Sequence, residues 1–428
     1  MSLLASTNWS KETLYFANVT LGTPAQSQRL HIDTGSSDLW VNTPHSSLCA
    51  SRGSPCAFAG TYNANASSTY EFVNSDFNIS YVDGSGASGD YVSDTLTIGS
   101  ATLDRLQFGI GYTSSSYEGI LGIGYEINEV QVGRAGKQPY NNLPAQMVAD
   151  GLIQSNAYSL WLNDLDSNTG NILFGGVDTA RFSGTLATLP IQKTSGYFAE
   201  FLITLTALSF GDTEIASNQA QAVLLDSGSS LTYLPNAMTE AIYEMVDARY
   251  DSNDGAAYVP CSLASNSSTL KFTFSGPSIT VDMSEMVIEV YSSNGRQVTF
   301  SDGTPACLFG VAPAGSSTSV LGDTFIRSAY LVYDLANNEI SIAQTNFNVT
   351  NTNVQEIGTG ANSVPDATIV ANAVTASAGA SGGGRIDGTA TLGLAATGTS
   401  KGGAERTAPP MKLAAMVAVG AGVFYAAM

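Results

Sequence analysis

Charge is scarce in this 428-residue chain, and basic charge is scarcest. Lys and Arg together number 16 against 36 Asp and Glu, and a formal net charge of −20 excludes the basic face that a nucleic-acid partner requires. Cationic partners are favoured instead. Charged residues make up 12% of the chain, about half the usual share, so the good helix formers Lys, Glu and Arg are few. With Ser, Thr, Gly, Val and Tyr plentiful, the composition points to a mainly β protein. His31 and His45 are the only histidines and the four cysteines have no CxxC spacing, so no metal or cofactor is expected. A Ser-His-Asp hydrolase is disfavoured too. Both GxSxG matches, Gly379 to Gly383 and Gly398 to Gly402, fall in low-complexity sequence where no strand-to-helix elbow can form. The start, MSLLASTNWSKETLYF, has no charged segment followed by an apolar run, and no signal peptide is read there.

Six Asn-X-Ser/Thr acceptors, at Asn8, Asn18, Asn65, Asn78, Asn266 and Asn348, are more than so short a motif gives by chance and suggest a secreted glycoprotein. Three disulfide connectivities are open to Cys49, Cys56, Cys261 and Cys307. Cys49–Cys56 with Cys261–Cys307 is preferred because each bond closes a loop within one half of the chain. From Asn351 to Pro410 the sequence is largely Gly, Ala, Ser, Thr and Asn without an aromatic residue, so residues 348–428 are read as a disordered stalk. At its end a small-residue patch with Gly402 and Gly403, a polar spacer and the charge-free apolar run Leu413 to Met428 have the layout of a GPI-attachment signal. A short tail anchor is the alternative.

Ahead of the stalk, short strand-like runs such as Leu202 to Leu208 and Leu331 to Leu335 alternate with Gly, Asn and Asp turns. Helical spacing is visible at Thr239 to Tyr250 and, more briefly, at Leu143 to Asp150. The most informative pattern is an internal repeat. Asp33-Thr34-Gly35-Ser36-Ser37 ends an apolar-leaning run and is followed by Ile120-Leu121-Gly122. Asp226-Ser227-Gly228-Ser229-Ser230 ends another and is followed by Val320-Leu321-Gly322. Two similar lobes are expected, 13–190 with Asp33 and 191–347 with Asp226.

A carboxylate at the end of an apolar strand is costly to bury unless hydrogen bonds receive it. Here the Gly permits a tight turn and the next Ser hydroxyl can donate to the acid. One such loop could be a structural Asx turn; two copies at corresponding places argue for a pair. Two like charges in contact cannot both ionise, so the pair shares a proton, and one acid can act as base while the other remains an acid. Hydrolysis of a peptide bond needs both roles at once.

At these residues the chain resembles the pepsin-like aspartic proteases, family A1, over nearly all of Tyr15 to Phe347. The matching motifs are Asp33 to Ser37 with Leu39-Trp40-Val41, Tyr81 in ISYVDGSGASG, Glu118 to Gly122, Asp226 to Ser230, and Val320 to Asp323 with Phe325-Ile326-Arg327. The resemblance implies a bilobal β fold with the active site between the lobes, and a monomer that acts on polypeptides. It implies Asp33 and Asp226 as the catalytic pair, with Ser36 and Ser229 on their outer oxygens and Thr34 and Ser227 cross-bracing the loops. Tyr81 would close a flap over substrate with Trp40 behind it, and Gly35 and Gly228 would meet the substrate backbone. Fungal relatives with Asp at the place of Asp83 accept Lys or Arg before the scissile bond; otherwise Asp83 only shapes the flap turn. Val82 stands where the family usually has Gly, Ser227 where Thr is common, and the cysteines of a third disulfide are missing. DTGSSDLWV, ILFGGVD and the tail are similar to fungal GPI-anchored enzymes of the yapsin type. An inactive binding protein on the same fold, a structural wall glycoprotein and a two-carboxylate glycosidase are the competing readings; none needs both intact loops.

Overall fold

Strand Gln26–Asp33 alternates between solvent and core in its first half, and from Leu30 onward every residue is buried. That change follows from its neighbours. It pairs in parallel with Gly119–Gly122, whose other edge pairs antiparallel with Leu39–Asn42, so the returning strand threads between the two strands that flank the Asp33 turn. The second half repeats the arrangement: Gln221–Leu225 pairs in parallel with Ser319–Leu321, and Val320 lies antiparallel to Tyr233 of Thr232–Leu234. The glycines of the two apolar triplets are what let the threading strand pass. A Cβ on Gly122 would lie 2.6 Å from the Asp38 amide nitrogen, and one on Gly322 would lie 2.2 Å from the Ser229 carbonyl oxygen.

The computed structural model describes residues 14–377 apart from 168, 293 and 294, and also 2–5, 379 and 417–419. The architecture is mainly β and bilobal, as the composition and the repeat imply. Beneath the lobes runs a sheet shared by both. Ala157–Trp161 and Gly170–Phe174 pair with each other, and Ala157–Trp161 pairs in turn with Ala329–Asp334, which is followed outward by Glu339–Thr345 and Phe182–Pro190. Tyr158, Phe201 and Tyr333 pack across it, with ring centroids 5.1 Å apart for Tyr158–Tyr333 and 4.7 Å for Phe201–Tyr333. This apolar floor fixes the two lobes relative to each other.

The short helix is Leu143–Ala149, close to expectation, whereas the longer one is Asn236–Val246. Pro235 sets its start, and Asp247 ends it by turning left-handed at φ 52°, after which Arg249–Asp251 is a strand. Both disulfides form as preferred, Cys49–Cys56 and Cys261–Cys307. Asn18, Asn65, Asn78, Asn266 and Asn348 are exposed, although the Asn348 side chain is engaged with Asp164 and Ser167. Asn8, Gly402 and Gly403 lie outside the described residues.

The disorder expected from residue 348 onward is corrected for the residues that follow Phe347, which pack on the fold. Val354–Glu356 pairs with Gly176–Asp178, and Ala367–Ile369 adds in parallel to the edge of Phe182–Pro190. Ile357 and Val364 are buried in a cluster with Trp161, Val177, Leu186 and Tyr330. A few apolar anchors and an open sheet edge are enough to order a segment whose composition alone argues against it.

Candidate active site

Each aspartate ends a buried strand, and its turn supplies two donors. The Gly35 amide donates to Asp33 Oδ1 at 2.8 Å, and the Ser36 hydroxyl donates to Oδ2. The second loop matches: the Gly228 amide donates to Asp226 Oδ1 at 2.9 Å and the Ser229 hydroxyl to Oδ2 at 2.8 Å. Beneath them the loops are tied by crossed hydroxyls. Thr34 Oγ1 donates to the Leu225 carbonyl and accepts from the Ser227 amide, both at 2.9 Å. Ser227 Oγ donates to the Ile32 carbonyl at 2.9 Å and accepts from the Thr34 amide at 3.2 Å. Ser227 in place of Thr therefore loses none of these bonds.

This brace sets the two carboxylates face to face. A Cβ on Gly228 would lie 2.3 Å from Asp33 Oδ1 and 3.0 Å from Asp226 Oδ1, so those oxygens are at most 5.3 Å apart, the two distances laid end to end. Only glycine fits there. Both acids open onto a cavity of about 420 Å³ whose wall also carries Tyr81, Asp83, Gly228 and Ser229. Thr34, Ser36, Ser227 and Trp40 lie behind that wall as supports. Gly35 is buried, and its amide is bonded to its own aspartate.

The turn expected to form the flap joins Glu71–Ser80 to Gly86–Ile98. The Tyr81 amide donates to the Ser85 carbonyl at 2.8 Å, and Gly84 takes the left-handed conformation, φ 85°, that the turn needs. Val82 is accommodated as a largely exposed residue of this turn, 60% exposed. Trp40 Nε1 donates to the Tyr81 hydroxyl at 2.8 Å. The Asp83 carboxylate accepts from the Ser85 amide at 2.8 Å and lines the cavity.

Three further titratable groups line the wall: His31, which two-residue spacing from Asp33 puts on the same strand face for either a substrate subsite or cleft-wall packing, and Glu118 and Glu200, to which the sequence assigns no role. His31 is buried, with its Nε2 3.2 Å from the Ser227 carbonyl, and desolvation lowers its imidazole to about 4. Behind the flap support, Asp38 accepts from the Tyr91 and Tyr140 hydroxyls and the Val130 amide, while Glu129 accepts from the Tyr140 amide at 2.9 Å. Burial, reinforced by the Asp38 charge, pushes Glu129 up to about 11. Burial raises Asp38 as well. The only sequence signal for Glu200 is its place directly before the apolar run Phe201 to Leu205.

A duplicated loop that presents two hydrogen-bonded carboxylates to one cleft is the arrangement of hydrolases that work with paired acids. The family model described as eukaryotic aspartyl protease matches residues 14–345, and the chain belongs to that family, the pepsin-like aspartic proteases. It is 56% identical over 385 residues to the probable aspartic-type endopeptidase opsB of Aspergillus oryzae, an alignment that covers 89% of this chain and 78% of that protein. It is 36% identical over 345 residues to the secreted aspartic protease 3 of Candida albicans, covering 79% and 81% respectively. The crystal structure of an aspartic proteinase from Irpex lacteus superposes with a TM-score of 0.65 at 23% identity, over 82% of this chain and 99% of that one, a likeness of fold.

Proposed function

We propose that this chain is an endopeptidase that hydrolyses polypeptides with a water held between Asp33 and Asp226. The observation that carries the reading is the pair of inner oxygens meeting at Gly228 under matched hydrogen bonds. With one proton shared between the acids, the ionised carboxylate takes a proton from the water as its oxygen attacks the scissile carbonyl carbon. The protonated acid donates to the carbonyl oxygen, and the tetrahedral intermediate collapses as the leaving nitrogen is protonated. Tyr81 closes over the substrate and Trp40 holds its hydroxyl in place. Asn at either position cannot accept the proton from water, so Asp33→Asn and Asp226→Asn should each reduce kcat by several orders of magnitude. Substantial turnover by a folded, purified Asp226→Asn protein sinks the mechanism.

The wall also supports a substrate class. Asp83 reads Lys or Arg before the scissile bond, and large apolar residues are taken there as well. Support comes from the five carboxylates on the wall, Asp33, Asp83, Glu118, Glu200 and Asp226, and from a net charge of −20 that draws basic peptides toward the cleft.

The protein is secreted and held at the cell surface by a GPI anchor added near Gly402 and Gly403. The exposed acceptor sites, the two disulfides and the composition of the tail support this. No helix of the described residues is long and apolar enough to cross a membrane. Phosphatidylinositol-specific phospholipase C should release the activity from intact cells, and activity that stays bound rules the anchor out.

A further inference from the structure

His31 carries a hydrogen bond from one half of the molecule to the other. Its Nε2 lies 3.2 Å from the Ser227 carbonyl oxygen, and since a carbonyl only accepts, that nitrogen bears the hydrogen. The same peptide unit reaches the dyad from its opposite edge. The Ser227 carbonyl and the Gly228 amide belong to one planar trans peptide and point in opposite directions, and that amide donates to Asp226 Oδ1 at 2.9 Å. The imidazole therefore holds one edge of a rigid unit whose other edge holds the inner oxygen of Asp226.

The corresponding place in the other half cannot do this. The Gly35 amide donates to Asp33 Oδ1 at 2.8 Å, but the residue two before Asp226 is Leu224, which has no hydrogen to donate. The crossed hydroxyl bonds of Thr34 and Ser227 are matched in the two loops, so the imidazole breaks a symmetry that they keep. The ring is also held in place. It is 6% exposed, and its centroid lies 5.7 Å from that of Phe16, whose ring the Arg29 guanidinium covers at 3.9 Å. Burial lowers the imidazole to about 4 while the Asp226 charge opposes the shift, so above that pH the ring is neutral and its one hydrogen sits on Nε2. Asp33, Glu118 and Glu200 share the cavity wall with it. Hydrogen bonds in series polarise one another: an N–H received by the carbonyl makes the amide beyond it a better donor, which favours the charged form of the acid it meets.

We propose that His31 is a positioning residue for the reaction, holding the Ser227–Gly228 peptide so that its amide fixes Asp226 and favours the ionised form of that acid. This rests on the reading of the dyad given above. Gln and Asn separate the donor from the ring. The side-chain nitrogen of Gln stands the same number of bonds from the backbone as Nε2, whereas that of Asn matches Nδ1 and falls short of Ser227. Both lack the imidazolium, so its charge at low pH cancels between them and their difference reports the donor alone. On a blocked peptide without titratable side chains, kcat of His31→Gln should exceed that of His31→Asn by about tenfold, with KM little changed. The two apparent pKa values of the kcat/KM profile, taken together, should lie about half a unit lower in His31→Gln than in His31→Asn. Leu is what the other half carries at this place, so His31→Leu takes the part of Asn should that protein not fold. Equal kcat and coincident profiles for Gln and Asn, or for Gln and Leu, overturn the proposal. A difference in kcat with coincident profiles overturns the effect on ionisation and marks a packing role. A wild-type protein that cleaves no peptide overturns the peptidase reading itself, and this one with it.

Discussion

At the scale of single residues, Asp83 holds two jobs at once. Its carboxylate accepts from the Ser85 amide and so pins the flap turn, and the same group lines the cavity. The two jobs separate under substitution. Asn keeps an acceptor for the Ser85 amide but carries no charge, so Asp83→Asn should preserve the turn and lose the attraction for a basic side chain. With matched peptides differing only before the scissile bond, Lys against Leu, the Lys/Leu ratio of kcat/KM should fall about tenfold or more, which corresponds to about 1.4 kcal/mol. An equal fall for both peptides would mean that Asp83 supports the flap without reading charge. The aspartates, their Gly and Ser partners and the crossed hydroxyls were legible in the sequence because their contacts form within a turn that occurs twice. Glu200 and the Asp38–Glu129 pair were not. Their surroundings come from segments tens of residues away, and no local pattern marks an acid that tertiary packing will bury.

At the scale of elements, strand pairing was legible where apolar runs and turn residues agreed, and least so after Phe347. Residues Val354–Glu356 and Ala367–Ile369 are too short and too mixed to read as strands on their own; they form because Gly176–Asp178 offers a partner to the first and the open edge of Phe182–Pro190 in the shared sheet offers one to the second. The strap then continues along the C-terminal half. The Val370 amide donates to the Thr188 carbonyl at 2.9 Å and the Ser377 amide to the Ala220 carbonyl at 2.9 Å. Burying Ile357 and Val364 contributes on the order of 1.5–3 kcal/mol each. A chain ending at 347 should therefore melt on the order of 5–10 °C below one ending at 379, while the chain ending at 379 keeps full peptidase activity. Equal melting temperatures for the two truncations, measured by calorimetry at one pH, would show that the strap only decorates the sheet.

At the scale of the whole molecule, the acidic composition has a consequence for pH that two buried groups make specific. Glu129 is raised from 4.5 to about 11 by burial and then by Asp38, so the folded protein keeps a proton that the unfolded chain releases. Its stabilising effect is complete below about pH 4.5 and is lost as pH rises, by about 1.4 kcal/mol per pH unit. His31 has the opposite sign. Desolvation lowers it from 6.5 to about 4, so the unfolded chain binds the extra proton, and stability is lost as pH falls from 6.5 toward 4. Between about pH 4.5 and 6.5 these two slopes cancel each other, and of the two only Glu129 still contributes above 6.5, where Asp323, raised well above its ordinary value by burial, adds to the decline. The combination gives a plateau at mildly acidic pH and a decline through neutrality, the range in which a proton-sharing dyad also works. Gln is close in shape to a protonated Glu and has no proton to lose, so Glu129→Gln should make the neutral decline shallower by about 1.4 kcal/mol per pH unit. His31→Gln should instead expose a steady fall from about pH 4.5 upward. Urea unfolding from pH 4 to 8.5, in an Asp226→Asn background that prevents self-digestion, measures both. A Glu129→Gln protein that loses stability above pH 6.5 as steeply as its parent would show that other carboxylates govern the decline.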